Sequence, residues 1–374
     1  MTPHGAQVGR PVATVETPAL VIDLDAMDRN IARMAAFAQA RGLRLRPHAK
    51  THKCAAIAKL QIGAGAVGVC VQKVSEAEAL VDAGVADIYV TNEVVDPAKL
   101  ARFAGLALRA RLSIAVDSAL GVQRLAMALA AVDASADVFV EVDVGHGRCG
   151  VAPAAAGSLA HQVVSNGLRF AGLQAYHGRA QHLRSADERE AAIDGAVRLA
   201  RAARSTILAA GIDCPLVTGA GTGTFVFEAA SGLYGELQAG SYLFMDRDYA
   251  DNETTAPDAR FEHALFVKSQ VMSRGYSHAV IDAGHKSHAI DSGMPRVWER
   301  DLEYLNGGDE HGILRWRDDA TSTELPELGD AVWLVPGHCD PTVNLHEHFI
   351  GVRGGLQNGV VECVWPIDAR GCVR

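Results

Sequence analysis

"ADIYVTNEVVDPAKLARFAGLALRARLSIAV", residues 86–116, reads as strand, helix, strand. Two short apolar runs, 86–91 and 111–116, flank an Ala-rich helical stretch at 97–107. Adjacent parallel strands need such a crossover, and it is right-handed. The same texture extends in both directions. Strands are expected at 43–48, 66–71, 86–91, 111–116, 137–144, 169–176, 215–218 and 236–244. Helices are expected at 25–41, 75–83, 97–107, 118–131, 153–166 and 187–210. Eight repeats over roughly 200 residues predict an α/β fold with a closed (β/α)8 TIM-like barrel. An open doubly wound sheet is the alternative, because the last unit is short.

After about residue 255 the texture changes. "ALFVKSQVMS", "HAVIDAG", "AVWLVPG", "HFIGVR" and "VVECVW" are strand-like and separated by turns, which predicts a C-terminal all-β domain. "TPALVIDL" (17–24) reads as a strand of that second domain. The expected division is a barrel at 25–254 and a β-strand domain at 11–24 and 255–374. Residues before Pro11 read as a loose tail.

The chain has 374 residues, 49% hydrophobic and 21% charged, enough for a substantial core. A net charge of −9 without any long basic run argues against a nucleic-acid surface. No apolar stretch is long enough for a membrane span, and the N-terminus lacks a secretory apolar segment. Seven scattered cysteines without paired metal-finger spacing fit a reduced, cytoplasmic protein.

In a barrel of this kind chemistry sits at the C-terminal strand ends. Those ends carry Lys50 and His52 in "RLRPHAKTHK", then Gln72 and Lys73, Asn92 and Glu93, and Asp117. They continue with Arg148 in "GHGRCG", Tyr176 and His177, "TGAGTGT" (218–224) and "AGSY" (239–242). Glycines let a backbone approach an anion, and successive N–H groups can cradle it. Phosphate sites in barrels follow strands seven and eight. Thr218, Gly221, Thr222, Gly223, Gly240, Ser241 and Tyr242 fall there. An amine opposite a phosphate cradle is how pyridoxal phosphate is held covalently. Lysine is scarce in this chain, so Lys50 is read as functional; Lys53 is placed on the first helical turn, facing elsewhere.

"PGHCDPTVNLHEH" (336–348) follows an apolar run. Read as extended chain, His338 and Asp340 share a face and Cys339 turns away. Pro341 is expected to keep Asp340 out of the α region. One imidazole and one carboxylate suit a divalent ion such as Mn2+ better than a structural zinc; a polar turn is the alternative. His263, His278, His285 and His288 read as surface or interdomain histidines, and Cys54 and Cys70 as buried hydrophobes.

"RPHAKTHK", "CVQKVSEAEAL", "VTNEVV", "VEVDVGHGRCGV", "GLQAYHG", "ELQAGSYLFMDRDY" and "PGHCDPTVNLHE" together resemble the D-threonine aldolase and 3-hydroxy-D-aspartate aldolase family. These are alanine-racemase-like, fold-type III pyridoxal phosphate enzymes. The resemblance runs in order from about residue 15 to the end. It implies that Lys50 is the Schiff-base lysine and that Arg148 lies beside the cofactor's phenolic oxygen. Tyr176 would lie near the pyridine ring, and Gly221, Thr222, Gly240 and Ser241 would hold phosphate. His338 and Asp340 would hold a divalent metal, Mn2+ first, with Mg2+, Co2+ or Zn2+ as alternatives. Related D-serine dehydratases carry His-x-Cys and zinc at that place, so Asp340 favours the aldolases. Ala220 stands where the family has glycine, and a methyl group there requires a φ that is not positive.

The activity implied is retro-aldol cleavage of a small D-3-hydroxy-α-amino acid to glycine and an aldehyde. His52, His177, His182 or a water on the metal are the candidates to take the hydroxyl proton. A dehydratase and a racemase are the rival activities on this fold. By resemblance the protein is a homodimer.

Overall fold

The computed structural model describes residues 5–254, 256, 260–320 and 324–374. β1 (Ala19–Asp23) and a helix at Leu24–Ala40 precede the eight parallel strands. These are β2 (Arg44–Leu45), β3 (Val69–Val71), β4 (Asp87–Glu93), β5 (Arg111–Val116), β6 (Asp137–Glu141), β7 (Arg169–Ala175), β8 (Val217–Gly219) and β9 (Glu236–Leu237). They pair in the order β2-β9-β8-β7-β6-β5-β4-β3. The ring closes between β2 and β3 through a parallel bridge of His48 with Cys70 and the Cys70 N–H on Pro47 O at 2.8 Å. The closed barrel, not the open sheet, is therefore the architecture.

The short last unit has a structural answer. Helix Leu24–Ala40 packs Met34, Phe37 and Ala38 in one cluster with Leu45 of β2 and Leu237 of β9. An N-terminal helix thus covers the seam that a full eighth repeat would otherwise cover. Asp23 caps it, its carboxylate accepting from the Asp25 and Ala26 N–H groups at 3.0 and 3.1 Å. Asp96 and Ser118 cap the helices at Pro97–Ala107 and Ala119–Ala130 in the same way. Each such cap contributes roughly 1 kcal/mol. Leu80, Phe103, Leu125 and Val163 of the helices are fully buried in one cluster with Ile88, Ile114 and Val138 of the strands. Each contributes roughly 1.5–3 kcal/mol by leaving water.

The barrel interior holds one small apolar cluster, Cys70, Tyr89, Ala115 and Phe139. Beside it runs a polar chain. Tyr89 donates to Gln174 at 3.1 Å, and Gln238 donates to Gln174 and to Thr218, each at 2.8 Å. Thr218 donates to Glu236 at 3.0 Å, and Glu236 meets Arg46, which also binds Asp87 at 2.5 Å. Buried polar groups in such a satisfied chain fix side-chain positions. Gln174 and Gln238, at its upper end, form the floor of the site described below.

The second sheet is mostly antiparallel: β10 (Leu265–Arg274), β11 (Ala279–Ile281), β12 (Arg296–Val297), β13 (Leu302–Asn306), β14 (Gly312–Trp316), β15 (Ala331–Val335), β16 (His348–Arg353) and β17 (Val360–Pro366). β1 lies between β10 and β16, so the strand read at 17–24 joins this sheet. β12, β13 and β14 were not expected; "NGGDEHG" is the turn between the last two. The loose tail is corrected for its described part: Gly9 and Arg10 bond to Val361, and Ala6 is buried. Residues 1–4 and residue 255, at the expected domain boundary, lie outside the described residues. His288 is corrected too: it is buried and bonded to Tyr304 at 3.0 Å. No helix among the described residues is long and apolar enough to cross a membrane.

Candidate active site

Beyond β2 the chain makes a 3-10 turn at Ala49–Thr51, started by His48, whose Nδ1 accepts from the Lys50 N–H at 3.4 Å. That turn projects Lys50 over a cavity of about 260 Å³ at the C-terminal end of the barrel. Arg148, Tyr176, Gly221, Thr222, Gly240 and Ser241 line it. So do Gln72, placed at a strand end by the sequence, and His48, Thr91, Gln174, Gln238 and Tyr249, which sequence reasoning did not assign. Burial holds His48 well below the ordinary histidine range, so it is neutral. Its ring meets Thr91 and Gln72 at 3.1 and 2.9 Å.

A side chain would crowd the cradle at two of its positions. A Cβ on Gly221 would stand 2.4 Å from Gln181 Oε1, and one on Gly240 would stand 2.8 Å from His48 O. The Thr222 hydroxyl accepts from the Tyr242 N–H at 2.9 Å, tying the two loops together. Ala220 does adopt positive φ, at 73°, contrary to expectation. A left-handed alanine costs roughly 1–2 kcal/mol. Its methyl is buried in the cluster with Phe225, Leu237 and Tyr242 and recovers about 0.8 kcal/mol. Glycine would add roughly 0.5–1 kcal/mol of chain entropy, so the alanine is tolerated and the cradle keeps its shape.

Three expected phosphate residues lie behind the lining. The Gly223 N–H is used by Gln181 Oε1 at 3.0 Å, Thr218 belongs to the barrel network, and the Tyr242 hydroxyl receives Gln61 at 3.0 Å. Lys53 is not on a helical turn but in the left-handed region at φ 53°, buried and paired with Glu76 at 3.0 Å. Glu76 in turn accepts from the Gln72 and Lys73 N–H groups, so Lys53 steadies the strand end that carries Gln72.

Gln181 props the cradle from behind, bonding Thr224 at 2.7 Å, and Thr224 donates to Glu228 at 2.8 Å. Burial pushes the Glu228 carboxyl up to about 7, against the Thr224 hydrogen bond that lowers it. Between about pH 4.5 and 7 the folded protein then holds a proton that the unfolded chain has lost. Stability is full below that window, falls as pH rises through it and is level above, a loss on the order of 3 kcal/mol. Glu228→Gln should flatten this slope; denaturant melts at about pH 5 and 8 check it, and an unchanged slope rejects the assignment.

The other wall comes from the second sheet. Lys50 Nζ lies 2.8 Å from Asp340 Oδ2. Asp340 raises the Lys50 ammonium above its ordinary range, although burial opposes this. Burial would raise the Asp340 carboxyl, but Lys50 and His338 override it and hold it far below the usual carboxylate range. Asp340 Oδ1 is buried without a hydrogen bond of good geometry. His338 Nδ1 meets Asp291 Oδ2 at 2.7 Å. The extended reading is corrected here: His338 is the N-cap and Asp340 sits in the first turn of a helix, Cys339–Val343. Proline is tolerated in a first turn because its missing N–H would have had no partner there. Asp246 anchors that helix, accepting from the Cys339 and Tyr249 N–H groups, each at 3.0 Å.

The three histidines considered for proton transfer are dispersed. His52 is fully buried outside the lining, its Nδ1 accepting from Cys54 N–H at 3.1 Å, and burial lowers it to about 4. His177 is half-buried and stacked on His146 with centroids 6.3 Å apart. His182 is held by Asp248 at 2.6 Å and lies against Tyr249, centroids 5.7 Å apart.

A metal fits the second wall. The buried Oδ1 of Asp340, which has no hydrogen bond of good geometry, can accept a cation, and the Asp291 contact leaves Nε2 of His338 to face it. Among the described residues no group of three ligating side chains surrounds this pair. Two protein ligands with the remaining positions open to water and substrate are the hard-ion pattern. The cofactor fits the first wall, where Lys50 faces a cradle that a Cβ would fill.

The family model described as alanine racemase, N-terminal domain, matches residues 22–248, and that described as putative serine dehydratase domain matches residues 264–352. Barrel, strand-end lysine and glycine cradle define an alanine-racemase-like enzyme, a class that uses pyridoxal phosphate. A D-threonine aldolase from Arthrobacter sp is 47% identical, covering 100% of this chain and 97% of the relative. A 3-hydroxy-D-aspartate aldolase from Paracoccus denitrificans (strain Pd 1222) is 43% identical, covering 97% and 94%. The crystal structure of D-threonine aldolase from Filomicrobium marinum superposes with a TM-score of 0.95 at 49% identity, covering 99% and 100%. The chain belongs to the D-threonine aldolase and 3-hydroxy-D-aspartate aldolase family.

Proposed function

We propose that the protein cleaves D-3-hydroxy-α-amino acids to glycine and an aldehyde, using pyridoxal phosphate and a divalent metal. The observation that carries this is the 2.8 Å contact of Lys50 with Asp340. One small molecule held at Lys50 is then in reach of whatever Asp340 holds. Bound pyridoxal phosphate supplies a sink for the electrons of the broken Cα–Cβ bond, and the bound metal lowers the pKa of the substrate hydroxyl.

In this reading Lys50 provides the covalent amine, and the loops at 220–222 and 240–241 close on the phosphate. Arg148, over the Tyr176 ring at 5.6 Å, would supply a positive charge to the cofactor's phenolic oxygen. His338 and Asp340 hold the metal, Mn2+ first among Mn2+, Mg2+, Co2+ and Zn2+. For the hydroxyl proton, His177, His182 or a water on the metal remain the candidates; His52 is fully buried outside the cavity lining. Residues 25–254 form the cofactor unit, and 11–24 with 255–374 the metal unit. A cytoplasmic homodimer without nucleic-acid or membrane partners completes the reading.

The match to a putative serine dehydratase domain over 264–352 favours a second reading, elimination of the hydroxyl to give a 2-oxo acid and ammonia. Product analysis separates the two. D-threonine, D-phenylserine and the 3-hydroxy-D-aspartate isomers are incubated with and without Mn2+. Glycine with the matching aldehyde is expected, and a 2-oxo acid with ammonia would overturn the aldolase assignment.

A further inference from the structure

The loop at 284–294 is bound to the His338 segment at several independent points. The Ala289 N–H donates to the Thr342 hydroxyl at 3.0 Å, and that hydroxyl donates to His338 O at 2.7 Å. A Cβ on Gly337 would stand 2.1 Å from Gly293 O, so the two backbones touch where only glycine fits. His346 Nε2 holds the same loop through Ser287 O at 2.8 Å. This bracket delivers Asp291 to His338, with Oδ2 at 2.7 Å from Nδ1. The Ser292 hydroxyl donates to the same Oδ2 at 3.3 Å, steadying the carboxylate.

From this geometry we infer that Asp291 is a positioning residue for the metal: its carboxylate accepts a hydrogen bond from Nδ1–H of His338, which keeps the proton on Nδ1 and presents Nε2 as the ligand. The inference rests on the reading of His338 and Asp340 as the metal pair. An imidazole free to rotate offers either ring nitrogen to the metal. A carboxylate on Nδ1 removes that choice and makes Nε2 a stronger donor. The effect matters more here than in a four-ligand site, because the described residues offer only two ligands to the ion. Asp291 is 47 residues from His338 and in no motif that marks the site.

Mn2+ affinity, measured calorimetrically on the cofactor-loaded protein, tests the proposal. Asp291→Ala should weaken Mn2+ about 10–100-fold and leave the cofactor's absorbance unchanged. Asp291→Asn, which keeps an acceptor but loses the charge, should fall between. In the Zn2+ form, nitrogen-15 spectra should show His338 protonated at Nδ1 and ligated at Nε2, and Asp291→Ala should mix the two ligation forms. A purely structural role for Asp291 would not move that signature. If Asp291→Ala keeps parental Mn2+ affinity while His338→Ala loses it, the proposal falls and the metal pair stands. If His338→Ala also binds Mn2+ unchanged, the metal reading falls and takes the proposal with it.

Discussion

Lys50→Ala abolishes turnover, by on the order of 10^3-fold or more, and leaves a folded protein. The size follows from position: a covalent amine held beside its reaction partner acts at a very high effective concentration, which a free amine in solution does not match. The two buried lysines are already engaged. Lys53 is buried against Glu76, and Lys268 is spent on the carbonyls of Val12, Ala13 and Val15. The fold is expected to survive because the Lys50 side chain is 41% exposed, and Asp340, left without the amine, still has His338 beside it. The lysine-bound cofactor's visible band should vanish, and borohydride should no longer fix cofactor to the chain. A band that persists in Lys50→Ala would assign the amine elsewhere.

Removing the divalent ion should be nearly as severe. A Lewis acid on the substrate hydroxyl is worth several kcal/mol, and each 1.4 kcal/mol is a factor of ten, so a loss on the order of 10^3-fold is expected. Chelation and the pair His338→Ala with Asp340→Ala should converge on the same residual rate. Because the described residues supply only two ligands, binding should be reversible, and added Mn2+ should restore the chelated protein but not the double variant. Cofactor absorbance reports that pyridoxal phosphate stays bound throughout. Undiminished turnover after verified metal removal would strike the ion from the reaction.

The barrel was readable because each strand is a short apolar run and each helix an Ala-rich stretch of different period, so neighbouring elements contrast. The seam between β9 and β2 was not, because the helix that covers it, Leu24–Ala40, is separated from β9 by almost the whole barrel sequence. The cradle glycines were readable as a type but not individually. Gly223 looks like Gly221 in sequence, yet its N–H is taken by Gln181. Gln181 and Glu228 carry no local signal, since a buried glutamine and a surface one look alike. Asp246 had one: an aspartate ahead of a helical turn is a capping pattern, and it lies inside "MDRDY".

His338 and Asp340 were paired in the sequence on the wrong backbone. Alternation in an extended chain seemed to pair them, whereas a helical first turn does so. Proline's penalty on the preceding residue is weaker there than its freedom to lack a donor. Ala220 shows the converse, a local rule offset by methyl burial together with the chain entropy that glycine would have cost.

The amino-acid order alone determined the repeating strand–helix units, the change to β structure after them, and the kinds of side chain placed at strand ends. These are local properties: period, composition and spacing along the chain. Which of those side chains meet was decided only by the tertiary structure. Lys50 and Asp340 are 290 positions apart and touch at 2.8 Å, while His52, two positions from Lys50, is shut away. Contact depends on how the barrel closes and how the second sheet leans on it, and both are set by packing summed over the whole molecule, which no short stretch of sequence records.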